Sequence, residues 1–195
     1  MNIFYLDHDV KKCAEMHNDK HVVKMILEYA QLLSTAHRIL DGIHTVGKSQ
    51  TGRKKITYTL PDSRDAVLYS ATHVNHPSAV WVRDGAFNYL WLQELLVALC
   101  KEYTHRYGKV HKVERDGLVD ALRELPHNID RSYIFTEPTP AMPDDVKVYD
   151  EVVTDRFTLN SLKSYRNYYI KNKTHLAKWK NRPVPSWYLE NIRPI

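Results

Sequence analysis

Two cysteines and six glycines in 195 residues set the first limits. Cys13 and Cys100 have neither a disulfide-rich pattern nor a metal-type spacing, so a reduced, cytoplasmic protein is expected. Scarce glycine argues against a turn-rich β protein. No run of about 18 uncharged apolar residues occurs, so no membrane span is expected. The opening segment, MNIFYLDHDVKK, lacks the basic region and apolar stretch of a secretory leader. Against these absences stands a hydrophobic content of 43%, enough for one packed domain over residues 1–195.

Acidic residues are nearly missing from the C-terminal end. From Asn160 onward there are eight Lys or Arg and a single acid, Glu190. The first 159 residues hold 20 basic and 22 acidic side chains, so the positive charge of the chain sits in residues 160–195. Tyr165, Tyr168, Tyr169, Trp179, Trp187 and Tyr188 are threaded through that stretch. Cations neutralise phosphates and flat rings stack on bases, so this mixture points to nucleic acid. DNA is the expected partner, with RNA as the alternative. The aromatics alternate with cations instead of forming one apolar face, which argues against a membrane surface.

The periodicity predicts a mainly α protein: a single compact helical domain with two long central helices and a basic, aromatic C-terminal segment packed on or flanking it. Asp7 or Asp9 caps a first helix, and Asn18 or Asp19 starts a longer one that ends near Asp41-Gly42. Residues 43–63 read as irregular, with a basic TGRKK stretch before a short strand-like ITYTL. His76-Pro77 opens the second long helix, which Gly108 stops. A shorter helix is expected over 114–125, an extended connection over 126–146, and a last helix over 154–179.

The first long helix carries a narrow polar line. His17, His21, Lys24, Glu28, Gln31, Thr35 and Arg38 follow one another in steps of four and three, so they share one face. The rest of the circumference is largely apolar, which predicts a buried helix whose polar line either meets solvent or lines a cleft. His17 and His21 at i, i+4 are spaced to share a metal ion, an arrangement that needs further ligands such as His37, His73 or His76. On the second helix, Arg83 and Asn88 stand closest to the His76-Pro77 entry.

Three segments resemble the phage-type pyrimidine-dimer DNA glycosylases. They are the N-terminal helix with its charged groups, the His76-Pro77 entry to a long helix ending at Arg106-Tyr107-Gly108, and the C-terminal Arg182-Pro183 with Trp187-Tyr188. The stretch HNDKHVVKM…QLLSTAHR also looks like uncharacterised tailed-phage proteins, which implies a phage context and a host cytoplasm. The resemblance implies a small helical enzyme that needs no cofactor. In that family an amine attacks the sugar C1′ at a damaged pyrimidine, a helix carboxylate assists, and β-elimination cuts the strand. An α-amino group has a pKa near 8, so more of it is in the neutral, nucleophilic form at neutral pH than of a Lys side chain. A carboxylate stabilises a positive sugar or moves protons. Two departures mark this chain. Asn2 follows Met1, so the amine is that of Met1, and His21 falls where the family's carboxylate is expected, so Glu28 is the nearest candidate.

The expected catalytic set is therefore Glu28, Lys24, His21 and Met1. The expected nucleic-acid contacts are Arg38, Arg53, Lys54, Lys55, Arg83, Arg182, Trp187 and Tyr188. Two other readings stand beside it: a metal-assisted nuclease or phosphohydrolase built on His17 and His21, and a non-enzymatic nucleic-acid-binding phage protein.

Overall fold

Helix starts lie where the sequence supplies side-chain acceptors. The computed structural model describes residues 1–132 and 134–192; Arg193, one of the tail cations, lies outside them. Asp9 accepts the Lys12 N–H to start α1 (Val10–Met16), and Asn18 accepts the His21 N–H to start α2 (Asp19–Asp41). Gly42 ends α2 with its N–H on the Arg38 carbonyl, and a Cβ there would meet that oxygen at 2.3 Å. The chain then forms an antiparallel hairpin in which β2 (Lys54–Thr59) falls on the expected strand-like ITYTL, while β1 (Ile43–Lys48) lies where an irregular stretch was expected. The register pairs Val46 with Ile56 and His44 with Tyr58, and β-branched and aromatic cross-strand pairs of this kind favour strands.

After a short turn of helix, α3 (Arg64–Val67), the expected second long helix is divided. Its first part is α4 (Pro77–Arg83), with His76 as its cap and Pro77 in the first turn. Its main part is α5 (Ala86–Tyr107), stopped by Gly108 at φ +64°. The break at Asp84-Gly85 is occupied by another segment. Asn88 bonds the freed Trp81 carbonyl and both the N–H and hydroxyl of Thr136, and the Ala86 N–H reaches the Asp130 carbonyl. The single helix expected over 114–125 is two short ones, α6 (Lys112–Arg115) and α7 (Leu118–Ala121), separated by Gly117 at φ +80°.

A second antiparallel hairpin, β3 (Val148–Val153) and β4 (Arg156–Asn160), replaces the expected start of the last helix. Asp155 takes φ +63° at its turn. Asn160 then caps α8 (Ser161–Asn172), while its amide N–H reaches Asp150. Lys173 follows the last residue of α8, a short 3-10 turn covers Thr174–Leu176, and α9 (Ser186–Ile192) closes the described chain. The protein is mainly α, and no helix among the described residues is long and apolar enough to cross a membrane.

The core forms where α2, α4 and α5 meet the N-terminal segment. Ile3, Tyr5 and Leu6 are fully buried, and Phe4 stacks on His21 while meeting Tyr165 and Tyr169 edge-on. An ion cluster locks the other side. The Arg106 guanidinium is completely buried and donates to Glu102 at 2.6 Å, Asp19 at 2.9 Å and the Glu15 carbonyl at 2.9 Å. Arg182 comes from the tail to the same Glu102 at 2.8 Å and to Glu15 at 3.3 Å. Asp19 also exchanges backbone contacts with the tail, its N–H bonding the Lys178 carbonyl and its carboxylate accepting the Lys180 N–H.

Removing one member leaves a buried charge unmatched. Glu102→Ala is expected to destabilise the fold by about 3–5 kcal/mol in urea unfolding at neutral pH, far more than an exposed carboxylate substitution would. A loss below about 1 kcal/mol would show that the cluster is not structural.

Candidate functional site

The polar line on α2 is divided between three environments. His17, expected on the same helix face, instead caps the end of α1, and His21 stands in the first turn of α2; both are buried. His17 donates from Nδ1 to the Cys13 carbonyl at 2.7 Å and accepts at Nε2 from the Tyr29 hydroxyl at 3.0 Å. His21 accepts at Nδ1 from the Tyr169 hydroxyl at 2.6 Å. Burial lowers the pKa of His17 to about 4 and that of His21 to about 2, so both rings are neutral packing groups. The metal reading of this pair is corrected on geometry: both nitrogens of His17 already have protein partners. No group of three or more His, Cys, Asp or Glu side chains suited to a metal occurs among the described residues. His21 is likewise corrected from an acid/base to the centre of an aromatic cluster.

At the other end of the line, Arg38 is buried. It donates to the carbonyls of Tyr58, Asp65, Leu68 and Tyr69 and to the Asp65 carboxylate. Its guanidinium holds the root of the β1–β2 hairpin and the following loop on α2, and all three of its nitrogens are so engaged. The expected phosphate contact at Arg38 is therefore corrected to an internal clasp. Thr35, one turn earlier, exchanges hydrogen bonds with the Thr72 backbone.

Between these ends, Lys24 and Glu28 form a 3.0 Å ion pair, with Lys24 exposed and the Glu28 side chain 14% exposed. The loop held by Thr35 and Arg38 brings His73 and His76 to this level. Burial lowers the His76 pKa, the Met1 α-ammonium and His73 lower it further, and Glu28 opposes them. Met1 and Glu28, both far from His76 in sequence, thus act on one ring together with its neighbour His73. The Nδ1 of His76 accepts the Ser78 N–H at 3.2 Å, which leaves the proton of the neutral ring on Nε2. Arg83 donates to the carbonyls of Val74 and Ala79, fixing the turn that carries His76, and the rest of its side chain is half-buried. His73 has φ +49°, a left-handed conformation uncommon outside glycine. Of the expected catalytic set, Lys24 and Glu28 are paired, and Glu28 and the Met1 α-ammonium both act on the charge of His76, whereas His21 is packed elsewhere. The sequence signal for His76 was the His-Pro entry, which reads first as a helix cap.

The tail is less free than its charge implied. Arg182 is drawn into the Glu102 cluster. Lys163 pairs with Asp150 at 2.7 Å, and Arg166 donates to the Leu6 carbonyl at 2.9 Å. Trp187 is buried, donates from Nε1 to the Met16 sulfur and carries Arg166 over its ring. Tyr188 is buried against Trp179. Arg182, Trp187 and Tyr188 are therefore corrected from substrate contacts to the anchors of the tail, because their rings and donors face inward. Lys171, Lys178 and Lys180 remain exposed.

Arg53, Lys54 and Lys55 sit at the exposed end of the β1–β2 hairpin. Lys48 stands directly opposite Lys54, and no acid occurs between Ile43 and Leu60. Like charges facing across a ladder repel, and an anion placed there relieves the repulsion.

Comparison with protein-family models, curated proteins and solved structures finds no match for this chain.

The buried neutral histidines make stability depend on pH. His37 shares the pattern, held between Arg64 and the Tyr89 hydroxyl, with its pKa lowered by burial to about 4. Unfolded histidines take up protons below about pH 6.5 while these folded ones stay neutral. Stability is thus full above pH 6.5 and falls as pH drops toward 4, by on the order of 1 kcal/mol per pH unit for each ring. Urea midpoints at pH 7 and pH 5 test this, and equal midpoints would contradict it.

Proposed function

We propose that this protein is a DNA-binding base-excision enzyme of the glycosylase and lyase type, acting through an amine and the Glu28 carboxylate. One observation carries the reading: Lys24 and Glu28 form an ion pair near solvent on α2, and both Glu28 and the Met1 α-ammonium act on the charge of His76. The resemblance in the N-terminal and His-Pro segments favours the same chemistry.

The proposed roles follow from the groups. The deprotonated Met1 amine attacks C1′ of the target nucleotide. Glu28 stabilises the positive charge that develops on the sugar and manages protons around it. The His76 Nε2–H donates to a ring oxygen or to the departing base. Lys24, paired with Glu28, is the alternative amine. Extraction of a base from a duplex needs contacts on the surrounding backbone. The hairpin cations Lys48, Arg53, Lys54 and Lys55 are suited to that task, as are Lys171 and Lys178 on the tail.

Borohydride reduction on DNA carrying an abasic site or a pyrimidine dimer tests the imine. A covalent protein–DNA adduct is expected with the native chain. The adduct should be lost when an extra residue precedes Met1 and retained in Lys24→Ala. Glu28→Gln is expected to slow strand cleavage about 10²- to 10⁴-fold with little change in DNA affinity. Absence of any adduct would remove the imine mechanism.

The hairpin has its own test. Lys54→Ala and Lys55→Ala should each weaken DNA binding and lower the slope of log affinity against log salt by about one. Salt-sensitive binding with no turnover on any damaged substrate would favour the non-enzymatic reading, which the unrelieved hairpin charge also supports.

A further inference from the structure

A groove of about 680 Å³ runs along the seam between α1 and α5, and none of its lining residues belongs to the Met1–Glu28–His76 group. Its apolar lining comes from Val10 and Ala14 on one helix and Val97 and Ala98 on the other. These small and β-branched side chains leave a shallow, flat bed. The Glu15–Arg182–Glu102 ion cluster lines the groove as well and uses its charges internally.

Gln93 lines the groove yet is only 8% exposed, and its side-chain amide has no hydrogen-bond partner among the described residues. The amide atoms themselves keep contact with solvent, so the amide is open to a ligand entering the groove. The amide offers one donor edge and one acceptor edge side by side, the pairing that a glutamine uses to bind adenine. Eight residues further along α5 stands Lys101, whose ammonium forms no ion pair among the described residues. At the α-helical rise the two positions are about 12 Å apart along the axis. A flat ring with adjacent donor and acceptor groups at one end, and an anion at the other, matches both.

We propose that the α1–α5 groove binds a nucleoside monophosphate, with the edge of an amino-bearing base on the Gln93 amide, its ring on the Val–Ala bed, and its phosphate at Lys101. The volume is in the range of small-ligand sites. This site is separate from the proposed reaction centre and does not require that reading to hold.

Titration calorimetry with AMP and with adenosine tests it on the full chain. AMP is expected to bind, and Gln93→Leu to weaken it at least tenfold while leaving the melting temperature without ligand little changed, because the Gln93 amide bonds nothing inside the protein. Lys101→Ala is expected to weaken AMP about tenfold and to leave adenosine unchanged. No binding of AMP or adenosine by the native chain overturns the proposal, as does an unchanged AMP affinity in Gln93→Leu. If Gln93→Leu does not fold, the Lys101→Ala comparison decides: equal AMP affinity in that variant and the native chain overturns the proposal.

Discussion

The arrangement rests on one buried guanidinium. Arg106 has no access to water, so its charge must be met inside the protein, and it is met by Glu102 on its own helix, Asp19 at the start of α2 and the Glu15 carbonyl near the end of α1. Those partners fix how three helices stand relative to one another. A packed hydrophobic cluster tolerates sliding better than a charge that needs donors and acceptors in set directions, so a cluster of this kind contributes more to register than to net stability. Once α2 is registered, every residue on its polar line is assigned a neighbour. Glu28 reaches the accessible level only because Asp19 is held two turns earlier.

That line shows how a single helix face serves different ends. His17 and His21 are neutralised by burial and joined to tyrosine hydroxyls. Arg38 is surrounded by four carbonyls and one carboxylate, that of Asp65, all used to hold the neighbouring loop. Lys24 and Glu28 pair with each other near solvent. Position, rather than residue type, separates the packing groups from those left near solvent.

Much of the local structure was legible because local acceptors determine it. Asp9, Asn18, His76-Pro77 and Gly108 mark their helix ends in sequence and do so in the fold. The breaks were harder to read. Residues 84–85 interrupt an apolar pattern that continues on both sides, and the reason lies in Thr136, about fifty positions away. The burial of Arg38 was likewise set by carbonyls of the 58–69 segment, which no pattern on α2 reveals. The tail's charge was a correct count but a poor guide to surface potential, since Lys163, Arg166 and Arg182 meet partners from elsewhere in the chain. The exposed apolar residues Val23 and Leu27 reversed the simple rule as well: they face out while the histidines beside them face in. Of the candidate site, Glu28, Lys24 and Met1 were named from sequence, whereas His76 needed the loop to be folded.

The ion cluster also imposes an order in time. Its members come from positions 15, 19, 102, 106 and 182, so most of its contacts join residues 80 or more positions apart. A chain emerging from the ribosome carries Glu102 and Arg106 long before Arg182 arrives, and contacts of such sequence separation are slow to close. The partly made protein therefore exposes an incompletely matched Glu102 beside an apolar groove that the tail has not yet bordered. Native structure on this side of the molecule is completed only when the segment carrying Arg182 joins Glu102.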